Sequence, residues 1–557
     1  MPFFQDPPRI GNQYQEDRVL RSYLARALPS DMLQAIEPEL ADMGGLAGGE
    51  LFAMQEEDRL LEPRLVTHDP WGRRIDRIDV TPLWKRARVL ASERGVVATA
   101  YERRHGALSR VHQMALAYLF EPSTDTYACP LAMTDGAAKT LLVHEAHALV
   151  ERALPRLTSR DPDKAWTSGQ WMTERTGGSD VGTSEAIAKN EGGAWRLYGT
   201  KWFTSAITAD MALTLGRPEG NGAGGRGLAL FYLELRRPDG TPDGFTVDRL
   251  KEKLGTRKLP TAEVTLAGAP AVPVIGLSGG VKAITPMLTI TRTWNSIAAV
   301  SAMRRSLALA RDYARRRSAF GASLSQKPLH VETFAGLAAE FEAAFHLSFR
   351  AVELLGQEEA RELSEEGARL MRLVTPLAKL CTGRQVMEVV PEVVEVFAGA
   401  GYCEDTGVPR LLRDSQVLPI WEGTTNVLSL DALRAIGKGG ALEALLSEIE
   451  RLGKDARGSL VAPARQAIAA SGRAAEWLRE ASRDPRRAEA GARGVALTLA
   501  RSLALALLVR HGQWSIDHEH DDRAAAAARR FARHGCDRIA EPDVASEALA
   551  NDEPSPA

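Results

Sequence analysis

Apolar residues at Leu20, Tyr23, Leu24, Ala27 and Leu28 recur at +3, +4, +7 and +8, the period of one buried helix face. This pattern dominates up to about Pro162 and predicts a helical N-terminal part, interrupted by a loop at His68-Asp69-Pro70-Trp71-Gly72. The texture changes between Trp166 and Gly280. Leu228–Leu235 and Glu263–Leu266 are short, β-branched or aromatic, and bounded by Gly, Pro and Asp, which predicts a small sheet domain. Its glycine-rich piece Gly222–Gly227 has the makings of a phosphate cradle, but no helix follows it, which favours a hairpin or surface loop. From about Val281 the helical period returns. Ile290, Trp294, Ile297 and Ala298 mark one face, Phe334, Leu337, Phe341 and Phe345 a second, and Leu370, Leu373, Leu377 and Leu380 a third. Long amphipathic helices with short connections predict an antiparallel bundle. An Ala/Leu/Arg-rich helical unit then runs from about Leu442 to Ile539, before a polar tail. The expected domains are therefore residues 1–165 (helical), 166–280 (β), 281–440 (helical bundle) and 441–540 (helical), with 541–557 disordered.

Composition narrows the class. With 70 Lys+Arg against 72 Asp+Glu, 44% hydrophobic and 25% charged residues, the 557-residue chain reads as globular. A net charge of −2 argues against a protein whose first task is to coat nucleic acid or an acidic membrane. Cys129, Cys381, Cys403 and Cys536 are too widely spaced for a disulfide framework or a CxxC zinc site. Met1–Ile10 has no apolar run of a signal peptide, and the apolar stretch Gly494–Arg510 is short and carries Arg501, so no membrane span and a cytoplasmic location are expected.

Three segments carry candidate chemistry. Met172-Thr173-Glu174-Arg175-Thr176-Gly177-Gly178-Ser179-Asp180 combines glycines that let backbone N–H groups approach a ligand with the hydroxyls of Thr173 and Ser179. Phe397-Ala-Gly399-Ala-Gly401 is a second place where backbone can come close to a phosphate. In Pro419-Ile-Trp-Glu-Gly-Thr-Thr-Asn426 one carboxylate lies between an indole and a Gly-Thr turn, where desolvation would raise its pKa towards general-base range.

Together these segments resemble the acyl-CoA dehydrogenase family of flavoproteins over roughly Trp166–Lys438. TExxxGSD is matched by Thr173-Glu174 with Gly178-Ser179-Asp180, and RxxFG by Arg317-Ser-Ala-Phe320-Gly321. FGGxG is matched, with one Gly replaced, by Phe397-Ala-Gly399-Ala-Gly401, and I-[YW]-E-G-T by Ile420-Trp421-Glu422-Gly423-Thr424. The four stand in the family's order and spacing. The longer helical N-terminal part, the wording Lys201-Trp-Phe-Thr-Ser205 and the added C-terminal helical unit resemble its AidB-like branch. In the family's Lys-x-Trp-x-Thr motif the aromatic position falls here on Phe203, with Trp202 one residue early and Ser205 in place of Thr.

The resemblance implies a mainly α fold with a central small β-barrel or sandwich domain, a four-helix bundle and an extra C-terminal helical domain. It implies FAD as cofactor and an acyl-CoA thioester as substrate. Glu422 would take the α-proton, the β-carbon would pass a hydride to the flavin, and a 2-enoyl-CoA would form. Met172, Thr173, Gly178, Ser179, Phe203, Thr204, Ser205, Gly399, Trp421, Thr424 and Asn426 would bind FAD, with Arg317 and Phe320 reaching the cofactor of a neighbouring subunit. Arg292 and Arg434 match family positions near substrate or base, Arg434 reading equally well as a surface arginine of the bundle. One branch of the family places its base just before an early bundle arginine; here that position is Thr291, which has no carboxylate. The resemblance further implies a homotetramer built as a dimer of dimers, and an electron-transferring flavoprotein as a partner of such enzymes.

Rival readings remain alongside. AidB-like proteins are linked with DNA through the C-terminal unit. Here that unit holds 17 basic and 18 acidic residues from Ala441 to Ala557, or 16 and 12 without the tail from Asp537, so it is only mildly basic. The Arg523, Arg529, Arg530 and Arg533 helix reads first as a charged solvent face. His518-Glu-His-Asp-Asp522 reads as a solvated turn rather than a metal site, since consecutive positions on a helix point apart. A flavin-bearing scaffold without turnover is the third reading.

Overall fold

The structure, a computed structural model, describes residues 5–554. Residues 1–4, the start of the stretch read as lacking a signal peptide, and 555–557, the end of the tail, lie outside the described residues. The chain forms two compact units, one of residues up to Ser323 together with Val390–Leu418, the other of Leu324–Val389 with the chain from Pro419 onward.

In the first unit the N-terminal helices follow the apolar period. Helix Arg18–Ala27 buries Val19, Leu20, Tyr23 and Leu24, and Asp17 caps it by accepting the Leu20 N–H. The same carboxylate accepts from the Tyr118 hydroxyl at 2.7 Å and pairs with Arg304 Nε at 2.8 Å, which ties the first helix to Ser109–Phe120 and Thr285–Arg316. A second buried carboxylate, Asp135, sits on helix Ala128–Val143. It accepts from Arg110 (2.7 Å), Gln113 (2.9 Å), Tyr101 (2.7 Å) and Trp294 (2.8 Å). Buried charge is tolerated there because its lone pairs are met.

The loop expected at His68–Gly72 is the turn of a two-stranded hairpin, β1 (Arg64–His68) with antiparallel β2 (Arg74–Asp79). Its charged alternation, Arg-Ile-Asp-Arg-Ile-Asp, hides the strand signal. The hairpin covers part of a sheet edge: Arg74 donates to Val247 O at 2.9 Å, and Asp76 accepts the Val247 N–H at 3.1 Å.

The β-domain is a seven-stranded sheet of β3 (Ser168–Trp171), β4 (Ile187–Glu191), β5 (Ala194–Ser205), β6 (Met211–Pro218), β7 (Ala229–Glu234), β8 (Phe245–Leu250) and β9 (Thr261–Pro273). Strand β6 pairs with both β4 and β7, and β9 with both β5 and β7, so the sheet closes on itself as a small barrel. Trp171, Leu197, Phe231, Phe245, Val264 and Leu266 fill it. The glycine-rich 222–227 segment is the connection between the antiparallel β6 and β7, a hairpin loop as the sequence favours.

The second unit is helical. Leu370, Leu373, Leu377 and Leu380 form part of one apolar core with residues of the C-terminal helices, among them Leu445, Ile449, Leu499, Leu503 and Phe531. The stretch Gly494–Arg510 belongs to a 35-residue helix, Pro485–Glu519, long and apolar enough by composition to cross a membrane, yet most of that apolar stretch is buried inside its own unit. Arg501 shows why it stays a core helix. Its guanidinium donates to Glu340 at 2.9 and 3.1 Å and to Gly535 O at 2.9 Å. Gln385 donates to the same carboxylate at 2.9 Å, and His534 Nδ1 lies 2.7 Å from it. The chain beyond residue 540, expected to be disordered, carries helix Ser546–Asn551. Before that helix, Glu541 accepts from Trp477 Nε1 at 2.6 Å and Arg487 at 2.8 Å.

Burial alone would raise the Glu340 pKa, but His534, Arg501 and Gln385 hold it down at about 2. A carboxyl depressed in the folded state contributes stability that is complete above its unfolded pKa of about 4.3 and is lost as pH falls through about 2. Glu340→Gln, which leaves Arg501 uncompensated, should cost roughly 3–5 kcal/mol at neutral pH. Chemical denaturation of the variant against wild type should show that gap, and the gap should shrink between about pH 4.3 and pH 2.

Candidate functional site

The candidate residues fall in both compact units, and each set has its own geometry. In the first unit, β3 ends at Trp171 and the chain turns tightly, Gly177 N–H donating to Glu174 O at 3.0 Å with Gly177 at φ +126°. A side chain at Gly178 would place its Cβ 2.7 Å from Thr173 Oγ1, so glycine is needed for that close approach. Ser179 is exposed, and Met172 is half-buried with its sulfur 3.3 Å from Gln170 Nε2.

Strand β5 reaches this turn by two bonds. Trp202 N–H donates to Thr173 O at 2.9 Å. Lys201, fully buried, meets Glu174 at 2.6 Å and donates to Leu215 O at 2.8 Å. The other Glu174 oxygen accepts the N–H groups of Glu185 (2.6 Å) and Ala186 (3.1 Å). Burial pushes the Lys201 pKa down, opposed by the Glu174 carboxylate. The Glu and Lys of these two motifs are thus each other's partners, and neither is exposed to a ligand.

Just past Lys201 the ladder slips. Lys201 pairs with Val264 and Thr204 with Ala262, so Trp202 and Phe203 together oppose the single residue Glu263. This β-bulge explains why the aromatic position holds two adjacent rings. Phe203 is 49% exposed, whereas Trp202 lies between cations, Lys251 Nζ 3.3 Å and the Arg175 guanidinium 5.2 Å from its ring centre. The Thr204 hydroxyl is buried and donates to Ala262 O at 2.6 Å, serving the sheet rather than an open surface. Ser205 Oγ lies 3.2 Å from Thr261 Oγ1. Trp202, Lys251 and Arg175 are the members of this cluster that sequence reasoning left without a role; only the extra aromatic in Lys201–Ser205 hinted at the bulge.

Elsewhere in the same unit, helix Thr285–Arg316 ends at Arg317 and leads into a two-residue hairpin whose turn is Phe320-Gly321, with φ +49° and +78°. Two successive positive φ angles mark the tight hairpin turn, an uncommon setting for Phe. The Phe320 ring is 99% exposed. Arg292 is half-buried, and the Thr291 hydroxyl donates to Met287 O at 3.1 Å within its own helix. In Phe397–Gly401 the parts separate: Phe397 packs on Tyr313 with ring centres 4.7 Å apart, a Cβ at Gly401 would strike Val394 O, and Gly399 faces open space.

In the second unit Trp421 and Glu422 are half-buried. Glu422 is left-handed at φ +58°, followed by Gly423 at +106°. The buried Lys379 ammonium donates to Gly423 O at 2.6 Å and fixes this turn. Thr424 then caps helix Thr425–Ile436, its hydroxyl accepting the Val427 N–H at 3.4 Å. Asn426 is exposed, as is Arg434 in the last turn of that helix. A non-glycine residue held in this backbone region stores strain of about 1–3 kcal/mol, a recurring mark of functional positions.

The C-terminal arginines are largely spent inside their own unit. Arg523 pairs with Glu342, Arg530 with Glu332 and Arg529 with Asp522, while Arg533 is exposed. His518 stacks on Trp514 with ring centres 5.2 Å apart, and His520 adopts the left-handed conformation that ends the helix. No group of three metal-ligating side chains occurs among the described residues.

Comparison with known proteins agrees with this geometry. Residues 6–164 match the adaptive response protein AidB N-terminal domain, 169–269 the acyl-CoA dehydrogenase middle domain, and 278–437 the acyl-CoA dehydrogenase C-terminal domain. Acyl-CoA dehydrogenase family member 11 of Caenorhabditis elegans is 41% identical over 527 residues, covering 91% of this chain and 85% of that protein. The putative acyl-CoA dehydrogenase AidB of Escherichia coli K12 is 32% identical over 467 residues, 81% of this chain and 83% of its own. Among solved structures, Caenorhabditis elegans ACDH-11 in complex with C11-CoA is 39% identical with a TM-score of 0.93, covering 99% of this chain and 96% of that one. Helical N- and C-terminal parts around a central β-domain, the four motifs in order and relatives matched over most of their length place this chain in the acyl-CoA dehydrogenase family, in its AidB-like branch.

Proposed function

We propose that the protein is an FAD-dependent acyl-CoA dehydrogenase that converts a saturated acyl-CoA to the 2-enoyl-CoA. The observation that carries this reading is Glu422: a carboxylate on a strained turn pinned by Lys379 and capped by Thr424, at the family's base position. A side chain poised on a fixed turn loses little further freedom in the transition state.

The residues present suit a flavin. Gly178 permits backbone to lie against Thr173, Phe203 offers a half-exposed aromatic face, and Thr173, Ser179 and Ser205 add hydroxyls at half-buried or exposed positions. Gly399 faces open space, as a phosphate-binding backbone requires. When bound, FAD supplies the acceptor for the hydride that leaves the β-carbon. The chain does the rest. Glu422 takes the α-proton and keeps it, its own backbone N–H donates to the thioester oxygen as charge develops there, and Trp421 excludes water from the base. The exposed Phe320 and half-buried Arg317 suit the flavin of a neighbouring subunit. These features support a homotetramer made of two dimers, and we take an electron-transferring flavoprotein as the class of electron acceptor. The nucleic-acid reading draws little from Arg523, Arg529 and Arg530, which are paired with carboxylates.

Anaerobic mixing with a panel of saturated acyl-CoAs, including an eleven-carbon chain, should bleach the flavin absorbance of the wild-type protein. Glu422→Gln should keep its flavin and slow bleaching by about 10²–10⁴-fold; bleaching at the wild-type rate would remove Glu422 as the base. In analytical ultracentrifugation the holoprotein should sediment as a tetramer, and Phe320→Asp should shift it to smaller species. A wild-type monomer that retains flavin would count against the shared site.

A further inference from the structure

Lys251 occupies a position that neither the motifs nor the proposed mechanism uses. It follows β8, and its backbone N–H donates at 2.8 Å to the carbonyl of Thr261, the residue whose hydroxyl meets Ser205. Its ammonium lies 3.3 Å from the Trp202 ring centre and 4.7 Å from that of Phe203. Glu263, the residue opposite the bulge, accepts from it at 2.6 Å, and both side chains are only 9% exposed. Arg249 meets the same carboxylate at 2.6 Å. On the far approach Arg175, from the Thr173–Asp180 turn, lies 5.2 Å from Trp202.

A two-for-one bulge takes its residues out of the regular β5–β9 ladder, Trp202 N–H turning instead to Thr173 O, and leaves the ring orientations to side-chain contacts. The pair Trp202-Phe203 needs another restraint to present one ring consistently. A largely buried ammonium anchored by a carboxylate supplies it, since cation–π attraction grows to about 2 kcal/mol once the cation is desolvated. Its placement is uneven, nearer Trp202 than Phe203, so Trp202 is held and Phe203 is left to face outward.

We propose that Lys251, anchored by Glu263, is a positioning residue of the flavin platform: it clamps Trp202 in the β5 bulge so that Phe203 is the ring presented to the isoalloxazine. This rests on the reading of the protein as a flavoenzyme. It assigns the second aromatic of the Lys201–Ser205 segment a different task from the first. Trp202 is the clamped ring and Phe203 the cofactor-facing one.

The test is FAD titration of flavin-stripped full-length protein, followed by flavin fluorescence, for wild type, Lys251→Met, Lys251→Arg and Glu263→Gln, each with a thermal melt. Lys251→Met keeps the aliphatic stem and removes the charge. It should weaken FAD binding about tenfold, a change of about 1.4 kcal/mol that lies within the cation–π range. Lys251→Arg should restore binding to within about threefold of wild type, because guanidinium serves the same ring and carboxylate. Glu263→Gln, which loosens the anchor without touching the cation, should fall between. Wild-type affinity in Lys251→Met overturns the proposal. So does an arginine variant as weak as the methionine one, which would make the lysine a packing element only. Should Lys251→Met fail to fold, weakened binding in a folded Glu263→Gln supports the clamp and unchanged binding overturns it. Wild-type protein that takes up no FAD would instead sink the flavoenzyme reading itself, and with it this one.

Discussion

The Lys201–Glu174 pair is the constraint on which the candidate cofactor surface depends. Both groups are withdrawn from water, a cost of several kcal/mol per ion that their mutual attraction repays only with further hydrogen bonds. Here those bonds are present: the ammonium also reaches Leu215 O, and the second carboxylate oxygen collects two backbone N–H groups at the start of the segment leading into β4. One ion pair thereby locks the Thr173–Asp180 turn, strand β5 and strand β6 in register. The hydroxyls of Thr173 and Ser179 and the Phe203 ring acquire fixed positions from residues that touch no ligand. Breaking such a pair by removing one partner typically costs 3–5 kcal/mol, so sequence variation is tolerated in the exposed turn far more readily than at its root.

The division between a rigid root and an open surface recurs at each motif. Phe397 and Gly401 are packing residues, whereas Ala398, Gly399 and Ala400 look outward. Thr204 is spent on the sheet, whereas Phe203 is half free of it. In the turn after Trp421 the Lys379 ammonium plays the part that Lys201 plays in the barrel, a buried cation fixing the backbone segment that carries the proposed base. The C-terminal helices use charge in the same inward manner. Glu332, Glu340 and Glu342 on one helix take up Arg530, Arg501 and Arg523, three arginines of the C-terminal helices.

Much of this was legible in the chain. Helix faces followed from Leu20 to Leu28 and from Leu370 to Leu380, because a 3.6-residue apolar period survives any tertiary context. The β-domain followed from short apolar runs between turn residues. The β1–β2 hairpin did not, since its alternation of arginine and aspartate imitates a solvated loop. The length of helix Pro485–Glu519 was hidden by Arg501, whose partner lies 161 residues away in sequence. At the site, motif spacing indicated which segments matter, but not which member of each faces outward. Neither the bulge at Trp202-Phe203 nor the left-handed backbone of Glu422 is encoded locally, because both depend on pairing with distant residues such as Glu263 and Lys379.

A buried ion pair holds together the surface proposed to receive the flavin, and the most direct measurement of that dependence is FAD stoichiometry in a protein lacking the pair. In a Lys201→Met, Glu174→Leu double variant both charges leave together, a change that a core often absorbs without unfolding. The account predicts one FAD per chain in wild-type protein and a large loss in the double variant, while the helical second unit keeps its thermal transition. Full flavin occupancy in the folded double variant would contradict it.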